Sequence, residues 1–394
     1  MSRDVTGAAD IPTPPQHQML ISSVSTHRVE VFHLPPLSKH QNADNLSIIQ
    51  IPHTQYTYVG RTADWIDRVG QLVAWVQPDS IVKLERPEFK DIPGLREPRI
   101  RARRLRDVVS YGLLVPLPAD TPLKPGDDAA AFLEVEHYDP EDRLSTTTGN
   151  KALKRANFAP APPGYYPKYA VDAFLKYYKV FVPGELVYIF EKLHGCNARY
   201  VKIQDVQYCG SRQGWKQPFS SPPRVTLEEL VVKTGSEERA QEILNKIQTS
   251  FKPHRDEWWA VFDAVPGLKR FCEERPGWCA YGELYGQVPG FPYDCAPGEP
   301  RLRLFDVLTP NQKWLNPADL IALGQEYQIP LAPLVAAEPF ELERVIHHAT
   351  GNSLLGDKPH IREGVVIKPA VDRWDPHLGR VSLKVINPAY LEKN

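Results

Sequence analysis

Apolar and polar positions alternate in short runs through the first third of the chain. VEVFHL, LSIIQI, YTYVG, QLVAWV and GLLVPL have the two-residue period of strands and are separated by Asn, Asp, Gly and Pro. Five such strands within about ninety residues predict a small β-barrel, of the OB type among others. Residues 1–26 ahead of them form a polar, proline-rich lead, so the barrel unit is placed at 27–118. Residues 119–160 are a connector, helix-like in DDAAAFLEV and loop-like in STTTGNKALKRANFAPAPPG. From 161 to 394 the pattern changes. Strand-like runs (ELVYIFEKL, YVKIQDVQY, AYGELYG, RLRLFDVL, EGVVIKP, RVSLKVI) alternate with helix-like ones (SEERAQEILNKIQTSF, DEWWAVFDAV, NPADLIALGQEY, FELERVIHHATG). This predicts an α+β domain with mainly antiparallel strands.

Composition sharpens this picture only in places. The 394 residues suffice for two domains, and 42% hydrophobic content supports real cores. A formal net charge of −1 demands no nucleic-acid partner, so any such surface has to be local. Five cysteines without a CxxC pair predict reduced thiols rather than a disulfide scaffold or zinc knuckle. There is no signal-peptide core and no apolar run of membrane-spanning length. The expectation is a cytoplasmic protein with no membrane partner.

One local patch exists. PRIRARRLRD places Arg99, Arg101, Arg103, Arg104 and Arg106 close together beside a strand-like run. Alternate arginines on a strand share a face and can track phosphates, which marks Arg99, Arg101, Arg103 and Arg104 as candidate nucleic-acid contacts. A solvated edge strand protected by charge has the same pattern.

The sharper candidate is EKLHGCNARY, where Lys192 ends a strongly apolar run three residues before Gly195. A lysine there must be paired or desolvated. To act as a nucleophile it must be neutral, although free lysine titrates near ~10.4. Burial and neighbouring cations both lower that value. Lys368 in EGVVIKP and Lys384 in SLKVI stand in similar strand contexts. If the fold gathers them, they are expected to depress Lys192 and to neutralise phosphate oxygens. Singly, each lysine also reads as a strand-end side chain reaching for water.

EKLHG, GSRQGW, YGELYG, LRLFDV, EGVVIK and SLKVINP, in that order, resemble the motif series of the covalent nucleotidyltransferases, the ATP-dependent polynucleotide ligases and capping enzymes. Their nucleophile motif is usually K-x-D-G. The K-x-H-G here resembles the RNA ligase 2 branch, which seals nicks in duplex RNA. GQLVAWVQPDSIV and RIRARRLRDVVSYGLLVPL ahead of it are similar to the N-terminal module of Deinococcus-type RNA ligase, the RNA ligase 5 family. The catalytic resemblance spans residues 165–390 and the N-terminal one 27–118. It implies a mainly antiparallel, ATP-grasp-like nucleotidyltransferase domain preceded by an OB-type barrel.

The resemblance also implies roles. Lys192 would attack the α-phosphorus of ATP, giving lysyl–AMP and pyrophosphate, with His194, Lys368 and Lys384 sharing the catalytic work. Glu191, Gly195, Asn197, Arg212, Glu283, Phe305, Lys368 and Lys384 would bind the nucleotide. Phe305 would stack on adenine, Arg212 would contact ribose or a 5′-phosphate, and Gly195 would let the chain turn close to the nucleotide. Glu363 and Glu283 would hold magnesium or manganese. The substrate implied is nicked duplex RNA or an RNA/DNA hybrid, and the enzyme is expected to be a monomer. A DNA ligase, a capping enzyme and a non-catalytic nucleic-acid-binding protein are the alternatives.

Two features depart from that series, the last motif and the long stretch between Arg212 and Glu283. Its last motif often reads K-x-K, whereas Lys384 is followed by Val385 and Ile386. Strict strand alternation would also put Glu363 and Lys368 on opposite faces unless Gly364 breaks it. Residues 213–282, with the Trp258–Trp259 pair, read as a folded insertion. Only six residues follow Pro388, so any barrel that holds nucleic acid is expected on the N-terminal side.

Overall fold

The computed structural model describes residues 27–92, 94–138, 158–219, 225–250, 253–286, 291, 293, 295–296, 299–356 and 358–393. The lead at 1–26 and most of the connector's loop-like part lie outside the described residues.

All five alternating runs of the N-terminal unit form strands. They are β1 (Glu30–His33), β2 (Leu46–Gln50), β3 (Thr57–Arg61), β4 (Leu72–Val76) and, after the hairpin β5 (Arg103–Leu105) and β6 (Val108–Ser110), β7 (Leu113–Pro116). They do not close. β1, β4 and β7 make one antiparallel sheet, and β2 and β3 belong to another with Ser38–Lys39. Among the described residues the strand pairing forms no closed barrel, so the OB form of this unit is not shown. Alternation fixes which face a strand buries, but not which neighbour it pairs with. Only Arg103–Leu105 of the arginine run is strand, closed by a turn at Arg106 and Asp107 with φ of 47° and 71°. Residues 119–138, expected as a connector, fold back onto this unit: Ala129, Leu133 and Val135 share a core with Val29, Val31, Ala74 and Val115.

The remaining chain is mixed α+β, built on two antiparallel-dominated sheets. A five-stranded sheet runs Asp172–Ala173, β15 (Leu383–Ile386), β14 (Gly364–Pro369), β8 (Leu186–Lys192), β13 (Leu334–Pro339). A six-stranded sheet runs Phe158–Ala159, Trp215–Lys216, β10 (Val206–Ser211), β9 (Cys196–Ile203), β11 (Cys279–Tyr285), β12 (Arg301–Leu308). YVKIQDVQY, expected as one strand, is a hairpin, because Gln204 takes φ 53° and turns β9 into β10.

The helices are α1 (Leu227–Thr234), α2 (Glu237–Ser250), α3 (Glu257–Ala264), α4 (Pro266–Glu274), α5 (Pro317–Tyr327), α6 (Leu342–His348) and α7 (Pro388–Lys393). α1 is not among the helix-like runs, though the sequence carries its signal: Thr226 and Glu229 form a reciprocal capping box. Trp258, with α3 and α4, belongs to the core under the six-stranded sheet, and its Nε1 donates to Asn197 O at 3.1 Å.

The five-stranded sheet has two unlike faces. Val187, Ile189, Val365, Ile367, Leu383 and Val385 point into a core with Phe174, Phe181 and Phe340 that continues into Trp75 and Tyr111 of the N-terminal unit. Phe190, Lys192, Val366, Lys368, Lys384 and Ile386 alternate with them and line a cavity. Gly364 lets Glu363 join that face. Its φ is 156°, and a Cβ there would lie 2.1 Å from Val385 O. Alternation breaks at this residue, so Glu363 and Lys368 serve the same side. Gly364→Ala is expected to cost ~1–3 kcal/mol. A lower urea midpoint with an unchanged m-value checks it.

Candidate active site

At Lys192 the chain leaves one sheet and three residues later enters the other. β8 ends with Lys192 paired to Gly364, and β9 begins with Cys196 paired to Leu284. The connection Leu193–Gly195 therefore crosses the gap between the sheets, and a cavity of about 690 Å³ lies beside it. Gly195 is needed for closeness: a Cβ would sit 2.3 Å from Leu284 O and 3.0 Å from Glu283 Cγ. Lys192, Glu191, His194, Gly195, Asn197, Arg212, Glu283, Phe305, Glu363, Lys368 and Lys384 all line this cavity. So do Arg99 and Arg101, from the N-terminal unit. Arg103 and Arg104 do not; they lie exposed on β5.

The electrostatics correct the expectation for Lys192. Its Nζ is 2.7 Å from Glu363 Oε1. Burial and Arg212 pull its pKa down, but Glu363 and Glu283 outweigh them and hold it above the usual lysine range. The downward pull is outweighed at Lys192, and Lys384 is itself affected. Lys384 is pulled down by burial and then by Lys192. Burial pushes Glu283 up to about 7, with Lys192 opposing and Glu363 adding to the rise. Asn197 Nδ2 donates to Glu283 Oε2 at 3.1 Å, across the β9–β11 register that pairs the two residues.

Lys368 is committed elsewhere. It is 4% exposed, and its Nζ donates to Asp306 Oδ2 at 2.7 Å and to Phe305 O at 2.8 Å. Asp306, fully buried, also accepts from Arg380 Nη1 and from Tyr169 OH, each at 2.7 Å. Burial works against its charge, but Arg380 and Lys368 keep its pKa below the usual carboxylate range. Tyr169 in turn packs 4.6 Å from the Phe305 ring. Asp306 thus fixes both the cation and the aromatic ring on this side of the cavity. It is not among the expected site residues, although a lone carboxylate in the apolar strand of LRLFDV is a signal.

Glu191 serves the scaffold: its carboxylate accepts from Ser353 Oγ at 2.5 Å and Leu354 N at 2.7 Å, tying down that loop. His194 is held on several sides. Its backbone N–H donates to Tyr293 OH at 2.9 Å, its Nδ1 hydrogen-bonds Tyr390 OH at 2.8 Å, and its ring stacks on Phe291 at 4.8 Å. The same Nδ1 lies 3.9 Å from Glu363 Oε2. Tyr390 follows the last motif, and no pattern in the sequence singles it out.

The carboxylates suit a divalent cation. Glu363 Oε2 is buried without a hydrogen-bond partner, and the Glu283 carboxyl is held in the same charged enclosure. Among the described residues no cluster of three or more His, Cys, Asp or Glu is placed to hold a metal. A pair of carboxylates completed by waters and phosphate oxygens is the arrangement a hard cation such as magnesium accepts.

The RNA ligase family model matches residues 185–386, just over half of the chain and the whole stretch from β8 to β15. The chain belongs to the RNA ligase family. Comparison with curated proteins gives no match. Among solved structures the ligase is similar to Naegleria gruberi RNA ligase in several states. A mutant with ATP and manganese is 18% identical, with 93% of this chain and 98% of that one covered and a TM-score of 0.65. The pyrophosphate complex is 18% identical, covering 94% and 99%, with a TM-score of 0.66. A mutant with AMP and manganese is 17% identical, covering 93% and 99%, with a TM-score of 0.68. At these identities the likeness establishes the fold, and it extends through the N-terminal unit.

Two outcomes follow for the ligase. Asp306→Ala leaves Lys368 and Arg380 buried without their shared counter-charge and is expected to cost ~3–5 kcal/mol, read by urea denaturation. Glu283 titrates higher folded than unfolded, so the folded state binds the extra proton. Its stabilising contribution is complete below the ordinary glutamate range and is lost as pH rises toward about 7. Glu283→Gln removes that loss, so its Tm relative to wild type is expected to increase from pH 5 to pH 8.

Proposed function

We propose that this ligase uses ATP to seal 3′-hydroxyl/5′-phosphate nicks in duplex RNA or RNA/DNA hybrid through a lysyl–AMP intermediate on Lys192. The observation that carries the proposal is the placement of Lys192 at the crossing between the sheets, in a cavity walled by Arg212, Lys384, Arg99 and Arg101 and lined beside it by Glu363 and Glu283. The solved relatives bound to ATP, AMP and pyrophosphate support the nucleotide part.

In the first step Lys192 Nζ forms a P–N bond to the α-phosphorus, and the bond to pyrophosphate breaks. Nζ, held as an ammonium, gives one proton to Glu363 along their hydrogen bond before it attacks, and a second passes to solvent as the phosphoramidate forms. Phe305 offers a ring face to the adenine, with its position set by Tyr169 and the strand containing Asp306. Arg212 and Lys384 face the phosphates. Glu363 and Glu283 would hold magnesium or manganese, which when bound offsets charge on the phosphates. In the second step the 5′-phosphate of the broken strand attacks the lysyl–AMP phosphorus, releasing Lys192 and forming a pyrophosphate-linked adenylate. In the third the 3′-hydroxyl attacks the 5′-phosphate, loses its proton, and AMP departs.

Arg99 and Arg101 are taken to grip phosphate inside the cavity, and Arg103 and Arg104 to track the duplex outside it. Their split between cavity wall and outer hairpin supports two tasks in place of the single track expected from the spacing of the arginines.

Labelled ATP is expected to form an acid-labile, base-stable adduct with wild type and none with Lys192→Ala. Labelling by GTP alone would overturn the ligase reading in favour of capping, and no adduct from any nucleotide would favour a binding protein. On nicks with RNA or DNA at each strand position, RNA on the 3′-hydroxyl side is expected to seal best. Equal sealing of all-DNA nicks would contradict the RNA assignment.

A further inference from the structure

Neither His27 nor His137 lies in any of the motifs above, yet both line the Lys192 cavity. Their rings face each other with centroids 4.1 Å apart and planes 30° apart. Pairing of Glu136–His137 with Ser80–Ile81 sets His137 opposite Ser80, and Ser80 Oγ hydrogen-bonds His27 Nε2 at 2.9 Å. Three segments distant in sequence are thus brought together at one point of the wall. His137 is exposed and His27 half-buried, so the pair is reachable from the cavity.

The surroundings are cationic. Lys176, Lys384, Arg99 and Arg101 line the same cavity. Lys176 pairs with Glu30 at 2.5 Å, Arg99 with Asp79 at 2.7 Å and Arg101 with Glu97 at 3.5 Å. Asp79 and Asp172 are the carboxylates on this wall, and Tyr138 lies under the Arg99 guanidinium at 4.0 Å. Burial first, then His137, Lys176 and Lys384, hold the His27 pKa at about 4, with Asp79 opposing. Two imidazoles in ring contact beside two lysines do not charge readily unless an anion joins them. A phosphate oxygen supplies that anion and an acceptor for each ring N–H.

We propose that the adjoining His27–His137 pair, backed by Lys176 and Lys384, is a phosphate subsite of the Lys192 cavity whose filling is coupled to proton uptake. The inference rests on the reading of this cavity as one for phosphorylated substrates. The phosphate comes from the pyrophosphate end of the nucleotide or from the polynucleotide. In either case the imidazoles bind a phosphate best when protonated and release it as they lose their protons.

The test observes the histidines directly. The full chain, carrying ¹³Cε1-histidine, is studied by NMR alone, with inorganic pyrophosphate, and with a 5′-phosphorylated oligoribonucleotide; His27→Gln and His137→Gln assign the signals. At pH 6 the His27 signal is expected to be that of neutral imidazole alone and of imidazolium with one of the ligands, a rise of at least ~100-fold in proton affinity. The arm that produces the rise names the source of the phosphate. His27 remaining neutral at pH 6 in both arms overturns the proposal, whether or not calorimetry shows the ligands bound. Adduct formation at Lys192, measured on the same preparation, separates the two readings. An adduct with unmoved histidines sinks the subsite alone, and moved histidines without an adduct sink the lysyl–AMP mechanism but support the subsite.

Discussion

The contact on which this site depends is the 2.7 Å ion pair between Lys192 and Glu363 inside a largely desolvated cavity. Everything around it serves to make that pair possible. β8 carries Lys192 to the gap between the sheets, Gly195 lets the chain pass within reach of β11, and Gly364 swings Glu363 onto the cavity face. A buried ion pair contributes little net stability, because desolvation consumes most of the attraction. What it provides here is a defined protonation state: a lysine held as an ammonium, next to a carboxylate with an unpartnered oxygen.

That state bears on the nucleophilic role proposed for Lys192. A cluster of cations would ordinarily be expected to keep an amine neutral and ready. Here the carboxylates prevail, and the amine is stored in its unreactive form. In the proposed mechanism, charge brought by a substrate and its cation would compete for Glu363 and Glu283 and so loosen the hold on the proton. The opposite wall follows the same logic, with Lys368 and Arg380 held by Asp306 so that Phe305 and its strand keep one position.

Much of the site is legible in the order of residues alone. Lys192, Arg212, Glu283, Phe305, Glu363, Lys368 and Lys384 come from separate segments and line one cavity, because strand alternation and motif order are local properties that survive folding. The five N-terminal strands are legible for the same reason. Their pairing is not: alternation says which face is buried but nothing about closure. Nor is the sign of the Lys192 shift, since it depends on Glu363, 171 positions away, reaching the same face through the backbone of Gly364. Asp306, Tyr390 and the His27–His137 pair escape a reading of the sequence because each acts through partners that only the tertiary structure supplies.

The most direct test of this account is the ionisation of Lys192 in the ligand-free enzyme. Competitive acylation followed by peptide mass spectrometry gives its reactivity from pH 7 to pH 12. The account predicts a midpoint above the ~10.4 of free lysine in wild type and a fall below it in Glu363→Gln, where burial and the cations act unopposed by that carboxylate. A wild-type midpoint already below that value, unmoved by Glu363→Gln, would contradict it.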